Sequence, residues 1–155
     1  MLTCCGPREG EPLRLQATVA FPPRDTIRFA LPATTHRCSD RRSVLLEAAS
    51  PQGNGVLMHL HFGDSLVAGS YPITAPGDSV TVPGAAVAVR YLLRDVARGF
   101  AIDSGSVQVQ HDDGAITARI DGSGLENAIR TPAWIDFRDV PLSAPSDTVP
   151  CRYQP

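Results

Sequence analysis

The chain has 155 residues, 43% of them hydrophobic, with a formal charge of −2 and a pI near 6.0. That is enough apolar content for one packed domain and too much for a disordered chain. The mild negative charge argues against a nucleic-acid binder, which needs a basic surface, and no apolar run approaches the roughly 20 residues of a membrane-spanning helix. All fourteen basic residues are Arg. They are scattered, apart from Arg41 and Arg42, which points to codon usage and away from an anion-binding cluster.

In chain order, Leu13, Leu15, Ala17, Val19 and Phe21 alternate with Arg14, Gln16, Thr18 and Ala20. Side chains on a strand point to opposite faces with period two, so this spacing predicts a strand with one apolar and one wet face. The pattern returns at Ile27, Phe29 and Leu31, and again at Val56, Met58, Leu60 and Phe62. Strands are predicted over 12–21, 25–31, 43–49, 55–62, 66–74, 79–83, 85–93, 98–102, 105–111, 115–121 and 133–139, merging into about nine or ten. Pro22-Pro23-Arg24-Asp25 and Pro51-Gln52-Gly53-Asn54-Gly55 separate early strands, and Asp112-Asp113-Gly114 joins Val107 and Val109 to Ile116 and Ile120 in a hairpin. Helix propensity is confined to short pieces, such as Ser43 to Ala49. The expected class is all-β, an antiparallel β-sandwich of Ig-like or jelly-roll-like form with little helix. It occupies residues 12–140, between an N-terminal tether over 1–11 and a Pro-rich tail over 141–155 pinned by Cys151.

The tether begins Leu2-Thr3-Cys4-Cys5-Gly6, which resembles the end of a bacterial lipoprotein signal, with Cys4 or Cys5 as the lipidation candidate. The apolar stretch that precedes such a site is not in the sequence, so residues 1–11 are expected to be the remnant of a signal with a clipped start, and Gly6 to Pro12 has the composition of a spacer. Neither Cys38 nor Cys151 belongs to a Cys-x-x-Cys pair, so zinc-finger and thioredoxin-like patterns find no support. A disulfide between them is expected, and with it an oxidising compartment.

Three chemistries are in view. His59 and His61 lie two apart on one strand and share a face, opposite Met58, Leu60 and Phe62. Gly53 followed by His59-Leu60-His61, with Pro76 to Gly84 beyond, resembles part of the cupin motifs, and the resemblance implies a metal held by His59 and His61. It covers about thirty residues. The acidic ligand is replaced by Ser65 and Leu66, and Ala85, Ala86 and Val87 stand where a later His belongs. A surface-exposed, chemically idle His pair is therefore the expectation. Phe100-Ala101-Ile102-Asp103-Ser104-Gly105-Ser106 resembles the Asp-Ser/Thr-Gly loop of aspartic proteases. Those need two carboxylates sharing a proton, and Ile120-Asp121-Gly122 departs from their downstream apolar segment, so a β-turn is expected at Asp103. Asp64, Asp78, Asp103, Asp113 and Asp121 sit beside Gly or Ser, with Asp112 next to Asp113, as turn-forming aspartates do, without the alternating acids of a calcium loop. Trp134 alternates with Asp136 and Arg138 on the wetter face of its strand and, with Tyr71, would form a stacking platform for carbohydrate where both are exposed.

Residues 66–73 and 105–120 resemble small exported bacterial lipoproteins with β-sandwich domains, over about half the chain. That resemblance implies a periplasmic or cell-surface location through a lipid anchor. The expected function is a non-catalytic binding or structural module for a protein, glycan or small ligand, without cofactor and without nucleic acid. The alternative is a cupin-like metalloprotein using His59 and His61.

Overall fold

The computed structural model describes residues 10–112 and 114–151, so the candidates Cys4 and Cys5, and Asp113 of the hairpin, lie outside the described residues. Among the described residues eleven strands run β1 (Leu15–Phe21), β2 (Asp25–Leu31), β3 (Thr34–Cys38), β4 (Ser43–Ala49), β5 (Gly55–His61), β6 (Gly69–Pro72), β7 (Gly84–Leu93), β8 (Val96–His111), β9 (Ala115–Glu126), β10 (Ile129–Pro141) and β11 (Thr148–Val149). The all-β class holds, and there is no helix among the described residues. The alternation puts Leu15, Ala17 and Val19 of β1, Val56, Met58 and Leu60 of β5, and Ala133, Ile135 and Phe137 of β10 into one core.

The strands form one curled sheet in the order β11-β3-β4-β5-β7-β8-β9-β10-β1-β2, with β6 added beside β8. Among the described residues every pairing between strands is antiparallel except β11 on β3, where Thr148 faces Arg37 and Val149 faces Cys38, and an isolated bridge from Ile73 to Ala85 is parallel too, so the sheet is mixed and not purely antiparallel. The curl is made at β8. Its first half pairs with β7 from Leu93↔Val96 to Ala88↔Ala101, and its second half lies between β9 and β6. Between the halves the register slips at Ile102/Ser104, and Gly105 adopts φ +128 against the backbone of Asp121 and Gly122. A bulge of this kind bends a strand and strengthens its twist, and the positive φ there favours glycine. Asp103, Ser104 and Gly105 are therefore a bulged strand, where the composition suggested a β-turn. The bend folds the two halves toward each other so that their inner faces share the core.

Several expected elements differ. The segments 98–102 and 105–111 merge into β8, the segment 66–74 contracts to β6, and 79–83 is irregular between Pro76 and Pro83. β3 has no apolar alternation to announce it and exists because β4 offers a ladder, from Thr34↔Glu47 to Arg37↔Val44. The tail is tied at several points. Thr35 Oγ1 donates to Pro141 O at 2.7 Å, Arg37 N–H donates to Ser143 Oγ at 2.9 Å, and Ser39 N–H donates to Val149 O at 2.8 Å. These contacts carry Cys151 to Cys38, to which it is disulfide-bonded across 113 positions with Cα atoms 5.3 Å apart.

Candidate functional site

Strands β3, β4, β5 and β7 place their outward side chains in rows. One row runs His36, Leu45, His59, Ala86, and the neighbouring row contains Ser43, His61 and Gly84. His59 and His61 do share the face opposite Met58 and Leu60. His59 is nevertheless only 5% exposed, which corrects the expectation of a surface-exposed pair. The His61 ring stacks on it at 4.0 Å between centroids, Ser43 Oγ lies 2.9 Å from its Nε2, and Cys38 Sγ lies 3.6 Å from the same nitrogen. The covering groups come from the disulfide-bonded end of β3 and the start of β4, which no spacing around His59 could reveal.

The hydrogen-bond order is fixed by proton count. Ser43 Oγ lies 3.1 Å from both carboxylate oxygens of Asp40, and Asp40 Oδ1 also accepts from Arg42 N–H at 2.8 Å. The single hydroxyl proton of Ser43 goes to the carboxylate, so Ser43 accepts from His59 Nε2–H. Burial, together with the neighbouring His61 charge and against the pull of Asp40, lowers the pKa of His59 to about 4. His61 is lowered by burial as well, opposed by Asp40. For Asp40 burial works upward, but the Arg42 and Ser43 hydrogen bonds and the two imidazoles outweigh it and hold the carboxyl low. This is not a nucleophile–base–acid relay. The carboxylate sits on the serine, not on the imidazole, the imidazole donates to the serine, and Ser43 is 1% exposed.

The second region is the outer face of β2, β1, β10 and β9. Trp134 is 47% exposed there, with Thr18 directly opposite on one side and Asp121 on the other, and Arg28 beyond Thr18. In the next row Arg119 Nε donates to Asp136 Oδ1 at 3.0 Å. Tyr71 does not join it. It is 4% exposed, on the core side of β6 opposite Val107, and its hydroxyl donates to Val67 O. A Trp134–Tyr71 platform is corrected to Trp134 alone, because the two rings belong to opposite faces of the sheet.

Asp103 is ion-paired to Arg130, Asp64 lies 3.2 Å from Arg42, and Asp112 accepts from the N–H groups of Gly114 and Ala115 in its own turn. Sequence reasoning did not single out a buried cluster at the end of β7. There the Tyr91 hydroxyl donates to Glu126 Oε2, Arg98 donates to Glu126 Oε1 at 3.0 Å, and the Arg98 guanidinium lies 4.6 Å over the Phe21 ring. Burial, with the Glu126 hydrogen bond and charge behind it, raises the pKa of Tyr91. Its members are scattered over 105 positions, and only their separate polarity on otherwise apolar strands could have hinted at them.

In comparisons with known proteins, no family model, no curated protein and no solved structure matches the chain.

Proposed function

We propose that this protein is a non-catalytic, exported binding module that takes a glycan on the outer face around Trp134. One observation carries this function: a large aromatic ring stands exposed in a row of hydrogen-bonding side chains, Arg28, Thr18 and Asp121. An indole offers a flat apolar surface to a sugar ring, while carboxylate, guanidinium and hydroxyl groups suit its hydroxyls. Support for a non-catalytic role comes from the internally satisfied Asp40–Ser43–His59 chain, in which Ser43 and His59 are buried and only Asp40 reaches the surface. Support for export comes from the Cys38–Cys151 bridge, because such bonds persist in oxidising compartments. Anchoring through Cys4 or Cys5 would hold the module at a membrane surface.

Trp134 is the single tryptophan, so its fluorescence reports on this face directly. The emission of the folded protein is expected to be that of a solvent-exposed indole and to be quenched by iodide. Oligosaccharides that bind on a glycan array should protect it from quenching and should lose binding in Trp134→Ala. Glycan binding that survives Trp134→Ala in a folded variant removes this face from the function. So does an array without a hit.

A further inference from the structure

Among the described residues, Sγ of Cys38, Sγ of Cys151 and a ring nitrogen of His59 all lie within 4.8 Å of one another. We propose that these three side chains are a latent thiolate–imidazole site for a zinc-class divalent cation, shut by the disulfide and opened when the bridge is reduced. The inference is independent of the Trp134 face.

The geometry matches in the part that the sheet holds fixed. With metal–sulfur distances of about 2.3 Å and metal–nitrogen distances of about 2.0–2.1 Å, a tetrahedral site has a sulfur-to-nitrogen edge of about 3.6 Å. Cys38 Sγ and His59 Nε2 are 3.6 Å apart, on strands β3 and β5 with β4 between them. The two sulfurs must move from bonding distance to an edge of about 3.8 Å in the same tetrahedron. Cys151 is the partner able to give. It follows the two-residue ladder of β11 at the margin of the sheet, whereas Cys38 is the last residue of a strand paired on both sides. Ser43 Oγ lies 2.9 Å from the same nitrogen, and the His61 ring lies against the His59 ring at a tilt, so both groups adjoin the imidazole. A cavity of about 400 Å³ opens onto Cys38 and Ser43 at the edge of the site; Arg37 and Arg41 also line it, so a cation entering this way passes two guanidinium groups. Two thiolates and one imidazole select a borderline-soft ion such as zinc over magnesium or calcium.

The chemistry balances with a dithiol as reductant. The dithiol gives two electrons and two protons to the Cys38–Cys151 bond and leaves as a cyclic disulfide. The cation then displaces the two thiol protons, which pass to solvent, while neutral His59 exchanges its Nε2 proton for one on Nδ1, gives up its hydrogen bond to Ser43, and binds through Nε2 beside both thiolates.

The test uses the full chain carrying Cys4→Ser and Cys5→Ser, so that Cys38 and Cys151 are its only thiols. Cobalt(II) is titrated into reduced and oxidised protein and then displaced by zinc(II). The expected result for the reduced protein is one equivalent bound, with thiolate-to-cobalt charge-transfer absorption and the intense d–d bands of a tetrahedral site. The oxidised protein should give neither. His59→Ala should weaken zinc binding by about tenfold or more, since even groups that merely support a ligand cost that much. Zinc should also raise the thermal midpoint of the reduced protein, and a reduced chain that unfolds without metal should fold as cobalt binds. The proposal is overturned by absence of the thiolate spectrum in reduced protein, by equal affinity in His59→Ala, or by equal binding to the oxidised form.

Discussion

Removal of the Cys38–Cys151 bridge has a magnitude that follows from where its ends lie. The two residues are 113 positions apart, so the cross-link closes most of the chain into one loop. Loop-closure entropy for that length is worth about 5 kcal/mol at room temperature. With an unfolding entropy of about 2.1 cal/mol/K per residue, the same loss lowers Tm by about 15 °C. In urea, with a slope of about 2–3 kcal/mol/M, the midpoint falls by about 2 M. The full value requires that the tail stays docked without the bond. Docking is provided by the β11 ladder, by Ser39 N–H to Val149 O at 2.8 Å, and by the Arg37 bonds to Ser143. Urea unfolding of oxidised protein is compared with the double variant Cys38→Ala with Cys151→Ala, in metal-free buffer. A midpoint that moves by less than about 0.3 M, or about 1 kcal/mol, would mean that the reduced tail leaves the sheet and would refute the loop-closure reasoning.

Three further outcomes are expected. The folded state of oxidised, metal-free protein resists protonating His59 until about pH 4, while the unfolded chain takes that proton near 6.5, so the unfolded state binds more protons between these values and stability falls as pH drops through that window. The loss between about pH 7 and about pH 4.5 is about 2 kcal/mol, read by urea unfolding, and a His59→Gln variant should show a flatter profile. Glu126→Ala strands the buried Tyr91 hydroxyl and Arg98 together and should cost about 3 kcal/mol, more than the roughly 1.5 kcal/mol of Tyr91→Phe, with chemical denaturation giving both. Gly105→Ala places a Cβ against the Asp121 backbone at positive φ and should destabilise by about 2 kcal/mol or more, and a thermal midpoint equal to that of the parent would remove the bulge from its place in the bend.

Much of the fold is legible in local pattern. Leu15, Ala17 and Val19, or Ala133, Ile135 and Phe137, have their faces assigned by period two before any partner is known. β3 is not legible, because Thr34 to Cys38 carries no apolar alternation and its ladder is supplied by β4. The candidate metal ligands divide the same way. The bridge between Cys38 and Cys151 is expected from a cysteine in the Pro-rich tail and one in the strand region, but the arrival of His59 beside it depends on the register of β3, β4 and β5. Trp134 and Tyr71 both sit in strands, yet one faces solvent and the other the core, because β6 joins the sheet with its tyrosine opposite Val107.

By itself the sequence determined the all-β class and the two faces of most strands, since each depends on alternation, and it made the pairing of two distant cysteines an expectation that the structure bears out. Tertiary structure alone decided the bend at Gly105, the sheet order, the burial of His59 among Ser43, His61 and Cys38, and the isolation of Trp134 on its own face. Those features come from contacts between segments far apart in the chain, and the energy of such contacts has no local signature for periodicity to carry.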